Sequence, residues 1–276
     1  MKNGKFKMNF THFRVCVRRY FELILNDRVS AVTLMLQAPI MLLLISFICP
    51  YDSFATPQGI WNADNALFII TVVAAMMGIL NSYREVCKER EIFAREYDAG
   101  LDVTAYILSK VFVLGCVCLI QSFMLFAGSY IIIDFPSPQP VFTELGYWLT
   151  LFLVVFSSSV TGIFISCVLK SSDSAVLPVL LILIMQVVLA GNTVDLEGTL
   201  GVISTVCVSR WGLSALGQVF DRNNMFPALA ATQRDYYNES LLVCYLVIIL
   251  MCVVLTVLSI IWLKLSFKKR QKKMKN

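Results

Sequence analysis

Glu89, Arg90, Phe93, Arg95 and Glu96 form the densest group of functional side chains in this sequence. Two carboxylates and two guanidinium groups around one ring are suited to docking, in which the charges set register and the ring supplies apolar contact. Glu91 and Arg95 stand at i,i+4 in the favourable order, Val86, Phe93 and Tyr97 can share a face, and Gly100 is a natural stop. The segment 84–100 therefore predicts a charged helix with one aromatic knob; read from composition alone it is equally a solvated loop helix. Groups able to break bonds are scarce. His12 is the single histidine, and the nine cysteines form no CxxC, with most of them (Cys49, Cys116, Cys118, Cys167, Cys244, Cys252) inside apolar runs. That pattern argues against a zinc site or a disulfide framework. Small apolar filler is the better reading of the cysteines, with a Cys49–Cys207 bridge as the alternative. No GxxxxGK phosphate loop occurs, so these residues do not supply ATP hydrolysis by that motif.

The elements that hold this group follow from composition. The 276 residues are 58% hydrophobic and 15% charged, well below the quarter of charged residues usual in soluble domains. A net charge of +5 would suit nucleic acid, but the charges sit in short loops and tails between long apolar runs, so no nucleic-acid partner is expected. Six charge-free stretches approach or exceed the ~20 residues needed to cross hydrocarbon: 29–49, 65–83, 111–133, 145–169, 174–194 and 240–263. The first begins late, contains Pro39 and lacks a small-residue cleavage site, so it is no cleaved signal; bulky Ile48 before Cys49 excludes a lipoprotein site.

Twenty of the 23 basic residues fall on one side of this topology, leaving Arg210, Arg222 and Arg234 on the other. The positive-inside rule then places both termini in the cytoplasm of a multi-pass protein of the cell (plasma) membrane. One long external loop, 195–239, carries the apolar stretch 198–209, too short to cross. It reads as a re-entrant or interfacial segment, with an ordinary external loop as the alternative.

The six stretches contain no ionisable residue, whereas ion-coupled transporters carry such groups near mid-membrane. A Ser–His pair for a membrane serine protease is also missing. Any uphill transport must draw its energy from a cytoplasmic partner. A second amphipathic segment, 10–25, repeats Phe10, Phe13, Val17, Phe21 and Ile24 at steps of three and four, with Arg14, Arg18, Arg19 and Glu22 mostly elsewhere on the wheel. It is expected to lie along the inner membrane surface, as a coupling element or as a plain anchor.

Glu89-Arg90-x-x-Phe93-x-Arg95-Glu96, followed by Ala105-Tyr106 and Ser109-Lys110, resembles the signature of type-2 ATP-binding-cassette (ABC) exporter permeases, above all the G-subfamily half-transporters and their bacterial relatives. Gln186 to Gly191 is similar to the "PQ-hydrophobic-SG" element of that family, and Ser209-Arg210-Trp211 with Ala215-Leu216 is similar to its external loop before the last helix. The likeness runs over 10–265. Asp102 departs from the family's tyrosine, and Pro178 does not align cleanly with its proline.

The resemblance implies an all-α membrane fold: six transmembrane helices, an N-terminal amphipathic connecting helix (Phe13, Val17, Phe21), a cytoplasmic coupling helix facing the ATPase (Glu89, Arg90, Phe93, Arg95, Glu96) and an external re-entrant segment. The implied division is a cytoplasmic tail and connecting helix over 1–28, a permease domain over 29–265 and a basic tail over 266–276. The start at Met1, just before the connecting helix, reads as a permease subunit that is no enzyme itself and relies on a separate ABC ATP-binding subunit, which would hold ATP and Mg. A second permease copy or homologue and membrane lipids complete the implied partners. Helices two and five line the family's substrate path, which directs attention to Phe68, Met76, Asn81, Met185 and Gln186. Few polar side chains there suggest an amphipathic or hydrophobic cargo: a lipid, a peptide or a drug. The rival readings are a non-transporting sensory or immunity subunit on the same fold, a secondary transporter or channel, and a membrane enzyme.

Overall fold

The computed structural model describes residues 10–55, 60–136, 139–169, 171, 173–193, 198–224 and 235–275. Lys2, Lys5, Lys7, Lys170 and Arg234 of the charge count, Asp195, and much of the expected external loop lie outside the described residues. Among the described residues all regular structure is helical. The helices are α1 (Phe10–Asn26), α2 (Arg28–Ile48), α3 (Ile60–Ser82), α4 (Arg90–Asp98), α5 (Val103–Ile132), α6 (Pro140–Val168), α7 (Val176–Val188), α8 (Gly198–Ser204), α9 (Val208–Val219) and α10 (Leu241–Lys275).

Local chemistry sets several of these boundaries. Asp27 separates α1 from α2 and caps the latter, accepting from Ser30 N at 3.3 Å and Ser30 Oγ at 2.6 Å. Gly100, at φ 102°, ends α4; Leu101 N reaches back to Glu96 O at 2.9 Å and Gly100 N to Tyr97 O at 3.0 Å, the bonding of a Schellman stop. Asp102, the departure from the family pattern, caps α5 by accepting from Thr104 N at 3.1 Å.

Among the described residues five helices are long and apolar enough to cross a membrane: α2, α3, α5, α6 and α10. The count reaches six only when α8 and α9, bent by 90° at 205–207, are taken as one span. The expected fifth span corresponds to α7, whose 13 residues extend about 20 Å at 1.5 Å per residue, short of the hydrocarbon thickness. Freedom from charge does not guarantee continuous helix: past Leu189 the chain turns through Gly191 at φ 108°. The stretch 198–209 forms α8 and the start of α9, and α9 packs among α3, α6 and α10.

The absence of ionisable groups from the spans needs correction. α3 begins early enough to include Asp64, and α5 early enough to include Lys110; both are buried. Arg222, counted as an external loop charge, is also buried. Its Nε and Nη2 meet Asp64 Oδ1 and Oδ2 at 2.6 and 2.7 Å, and Tyr237 Oη lies 3.4 Å from the same carboxylate. Beside this pair Phe54, Phe135, Tyr147 and Phe220 pack ring on ring, with Phe135 and Phe220 stacked at 4.9 Å. All nine cysteines are free, Cys49 and Cys207 included.

The tightest seam joins α3 to α6, where small residues let the backbones approach. A Cβ added at Gly78 would overlap Val155 O and come within 2.7 Å of Ser158 Cβ and 2.9 Å of Ser159 N. One added at Gly162 would overlap Ser82 Oγ and stand 2.8 Å from Ile79 O. Ser82 Oγ donates across the seam to Ser159 O at 2.6 Å. Backbone cannot rotate away as a side chain can, so Gly78→Ala should cost about 1–3 kcal/mol. Thermal unfolding in detergent should show the drop, with the seam-remote Gly115→Ala much milder.

Candidate coupling site

α4 lies at the end of the bundle where α1, the start of α5 and the end of α10 meet. The Phe93 ring is 1% exposed. It packs on Tyr106 of α5 at 4.4 Å, Phe267 of α10 at 5.0 Å and Tyr97 at 6.2 Å. This corrects the reading of Phe93 as a knob offered to another protein: the ring anchors α4 to its own bundle. The helix period allows an inward or outward aromatic face, and Phe267, far along the chain, decides it.

Around that anchor the charges are paired. Glu89 Oε2 accepts from Tyr106 Oη at 3.1 Å and lies 3.0 Å from Lys110 Nζ. Glu85, in the turn before α4, meets Lys88 at 2.6 Å and Lys110 at 3.8 Å, and also accepts from Tyr20 of α1. The Lys110 ammonium lies over the Tyr20 ring, 4.0 Å from its centroid. A buried ammonium is tolerable only with such partners. Burial, then the negative charge of Glu85, holds the Tyr20 phenol well above its ordinary pKa, so it remains a donor. Arg90 donates to the carbonyls of Cys167 and Leu169 at the end of α6 and to Ser266 Oγ at 3.3 Å. A cation there also suits the negative end of the helix dipole.

α1 is tied to α4 by Arg19 and Glu96. Desolvation works against the Arg19 charge, but its hydrogen bond and attraction to Glu96 outweigh that and raise its pKa. Val17 and Phe21 pack with Tyr20 into the cluster around Phe93, while Phe13 meets Phe112 of α5 edge-on at 6.1 Å. The apolar face of α1 thus covers the bundle as well as any membrane surface. Facing away from the bundle, α4 presents Glu91, Ile92 and Arg95, with Ile92 52% exposed.

The residues named for a substrate path lie on α3 and α7, and most of them are engaged in packing or hydrogen bonds within the bundle. Phe68 and Met76 are half-buried packing residues. Asn81 is 6% exposed and donates to Gln121 Oε1 at 2.5 Å. Gln186 staples α7 to α9, its Oε1 accepting from Ser209 N at 2.9 Å and its carbonyl from Ser209 Oγ at 2.6 Å. Of these named residues only Met185, on α7, is exposed. Sequence reasoning gave Tyr20 and Glu85 no role and quoted Lys110 only as part of the family likeness. The available signals were Glu85 and Glu89 at i,i+4, and Tyr106 and Lys110 at i,i+4 on the next helix.

The family model of the ABC-2 type transporter matches residues 11–220. The ABC transporter ATP-binding/permease protein Rv1747 of Mycobacterium tuberculosis is 27% identical over 242 residues, covering 84% of this chain. The aligned part is 28% of that protein, so the chain spans under a third of the relative's length.

Proposed function

Because this chain belongs to the ABC-2 type transporter family, and so is a membrane component of an ABC transport system, we propose that it is the permease subunit of an exporter driven by a separate ATP-binding subunit. Two permease copies or homologues would enclose the path, and an amphipathic or hydrophobic cargo (a lipid, a peptide or a drug) would cross between them. The observation that carries this reading is the division of α4 into two faces. Its inner face is locked through Phe93 and Glu89 to α5 and through Phe93 and Arg90 to α10, while Glu91, Ile92 and Arg95 face outward. A push by ATP-binding subunits on the outer face would move α4, α1 and the ends of α5 and α10 together, biasing an inward-facing against an outward-facing path.

Ile92→Glu with Arg95→Glu should leave thermal stability unchanged, because both side chains are exposed. Co-purification with the cognate ATP-binding subunit should weaken about tenfold or more, equivalent to about 1.4 kcal/mol. Wild-type complex formation and cargo export in that double variant would refute the reading of α4.

The proposed orientation puts α4 and both termini in the cytoplasm of a plasma-membrane protein. In a cysteine-free background, Lys88→Cys should react with an impermeant maleimide only in inverted vesicles, and Asp221→Cys only on intact cells. Labelling of Lys88→Cys on intact cells would reverse the topology.

A further inference from the structure

Arg210, counted among the external charges by sequence, stands on α9 two residues before Gly212, which packs on the centres of two spans. A Cβ added at Gly212 would meet Val154 Cγ2 at 2.5 Å and Thr71 Cγ2 at 3.0 Å, and these two residues are the midpoints of α6 and α3. Asp64 is seven positions from Thr71, about 10 Å along α3. We propose that Arg210 binds the phosphate or carboxylate of an anionic amphiphile and thereby selects the cargo, the second part resting on the exporter reading.

A guanidinium at this depth is costly and is kept where it meets a counter-charge. Arg210 has none in its own chain. Among the described residues it enters no ion pair, and its Nε is buried without a hydrogen bond. The Trp211 ring, 4.9 Å from the guanidinium carbon, offsets part of the charge but supplies no anionic acceptor. Asp64 is taken by Arg222. Glu144 and Glu239 stand near the starts of α6 and α10, far from the span centres, and form no pair with Arg210. A second copy brings the same carboxylates at the same depths, so the counter-charge comes from a ligand. A lone guanidinium selects an anion over a neutral or cationic head group.

The site is open on one side. Arg210 and Gln218 are the only residues of α9 that are not buried, and Gln218 is engaged with Tyr237 O. Trp211 Nε1 donates to Thr205 O at 2.9 Å and holds the bend at 205–207 against α9. Val202, Ile203 and Val206 are exposed there and offer a hydrocarbon chain an apolar surface. A phospholipid at rest keeps its phosphate at the interface, about 15 Å from the mid-plane. An anion reaches Arg210 in a molecule on its way across, which assigns the site to cargo.

The full chain in nanodiscs of zwitterionic lipid tests the site, and its complex with the cognate ATP-binding subunit tests the cargo. Native mass spectrometry should count one saturable dodecyl phosphate per chain, with dodecanol and dodecylamine at least about tenfold weaker. Arg210→Gln should weaken dodecyl phosphate about tenfold, and Arg210→Lys should retain part of the binding. Arg84→Gln, which removes an exposed cation before α4, should change nothing. Arg210→Met should melt no lower than wild type, because an unpaired buried charge serves a ligand and not the fold. In the complex, dodecyl phosphate should raise ATP hydrolysis severalfold with the wild-type chain and not with Arg210→Gln. Equal binding of the three head groups, unaltered binding in Arg210→Gln, or a melting loss in Arg210→Met on the scale of Arg222→Ala overturns the site. Binding without stimulation, in a complex that hydrolyses ATP, gives the anion to a resident lipid and overturns the cargo role. A chain that binds dodecyl phosphate but forms no complex refutes the exporter reading and leaves the site standing.

Discussion

Arg222→Ala is expected to be the most damaging single substitution in the chain, lowering stability by about 3–5 kcal/mol. Arg222 and Asp64 are each 1% exposed, and their bidentate contact joins α3 to the turn after α9. Removing the guanidinium leaves the carboxylate buried with Tyr237 as a distant donor at 3.4 Å. The loss is chiefly the desolvation of an uncompensated charge, so removing both partners should be far milder than removing one. Asp64→Leu with Arg222→Met should recover most of the stability lost in Arg222→Ala. Thermal unfolding of purified protein in detergent measures both, and the double-mutant cycle isolates the pair. Equal melting of Arg222→Ala and wild type would mean that the pair does not form in the membrane.

Phe93→Ala should produce the second large effect, at the opposite end of the bundle. Truncating a buried ring costs about 3–5 kcal/mol through lost transfer energy and the cavity left behind. Here the lost contacts are those with Tyr106 and Phe267, which hold α4 to α5 and α10. A surface knob would lose partner docking with stability unchanged. The buried ring instead predicts loss of stability and faster amide exchange across 90–98, and under the proposed function export also falls because α4 no longer moves with the bundle. Phe93→Leu should restore part of each. Lys88→Ala should be nearly silent, since its pair with Glu85 is well exposed on the lysine side and such pairs contribute at most about 1 kcal/mol. Unchanged exchange in Phe93→Ala would contradict the anchoring role.

The sequence by itself determined what depends on near neighbours and on the solvent. In hydrocarbon every backbone polar group must be satisfied within its own segment, so charge-free runs announce helices. The all-α character and the stop of α4 at Gly100 were legible for that local reason. The charged string around Phe93 was legible as a helix joining two spans.

Tertiary structure alone decided which way that helix faces, because Phe267 supplies the ring that buries Phe93 from 174 positions further along. It also decided that Asp64, Lys110 and Arg222 belong to the interior. A search for charge-free runs ends each span at its first charge and so discards these residues. Their partners stand on other helices, Arg222 158 positions from Asp64. α7 shows the converse: an apolar run long enough to span breaks at Gly191, and its length in space is set by helix geometry and by the staple from Gln186 to Ser209. Burial and pairing are properties of contacts between distant segments, and a single chain read in order contains the groups but not their meeting.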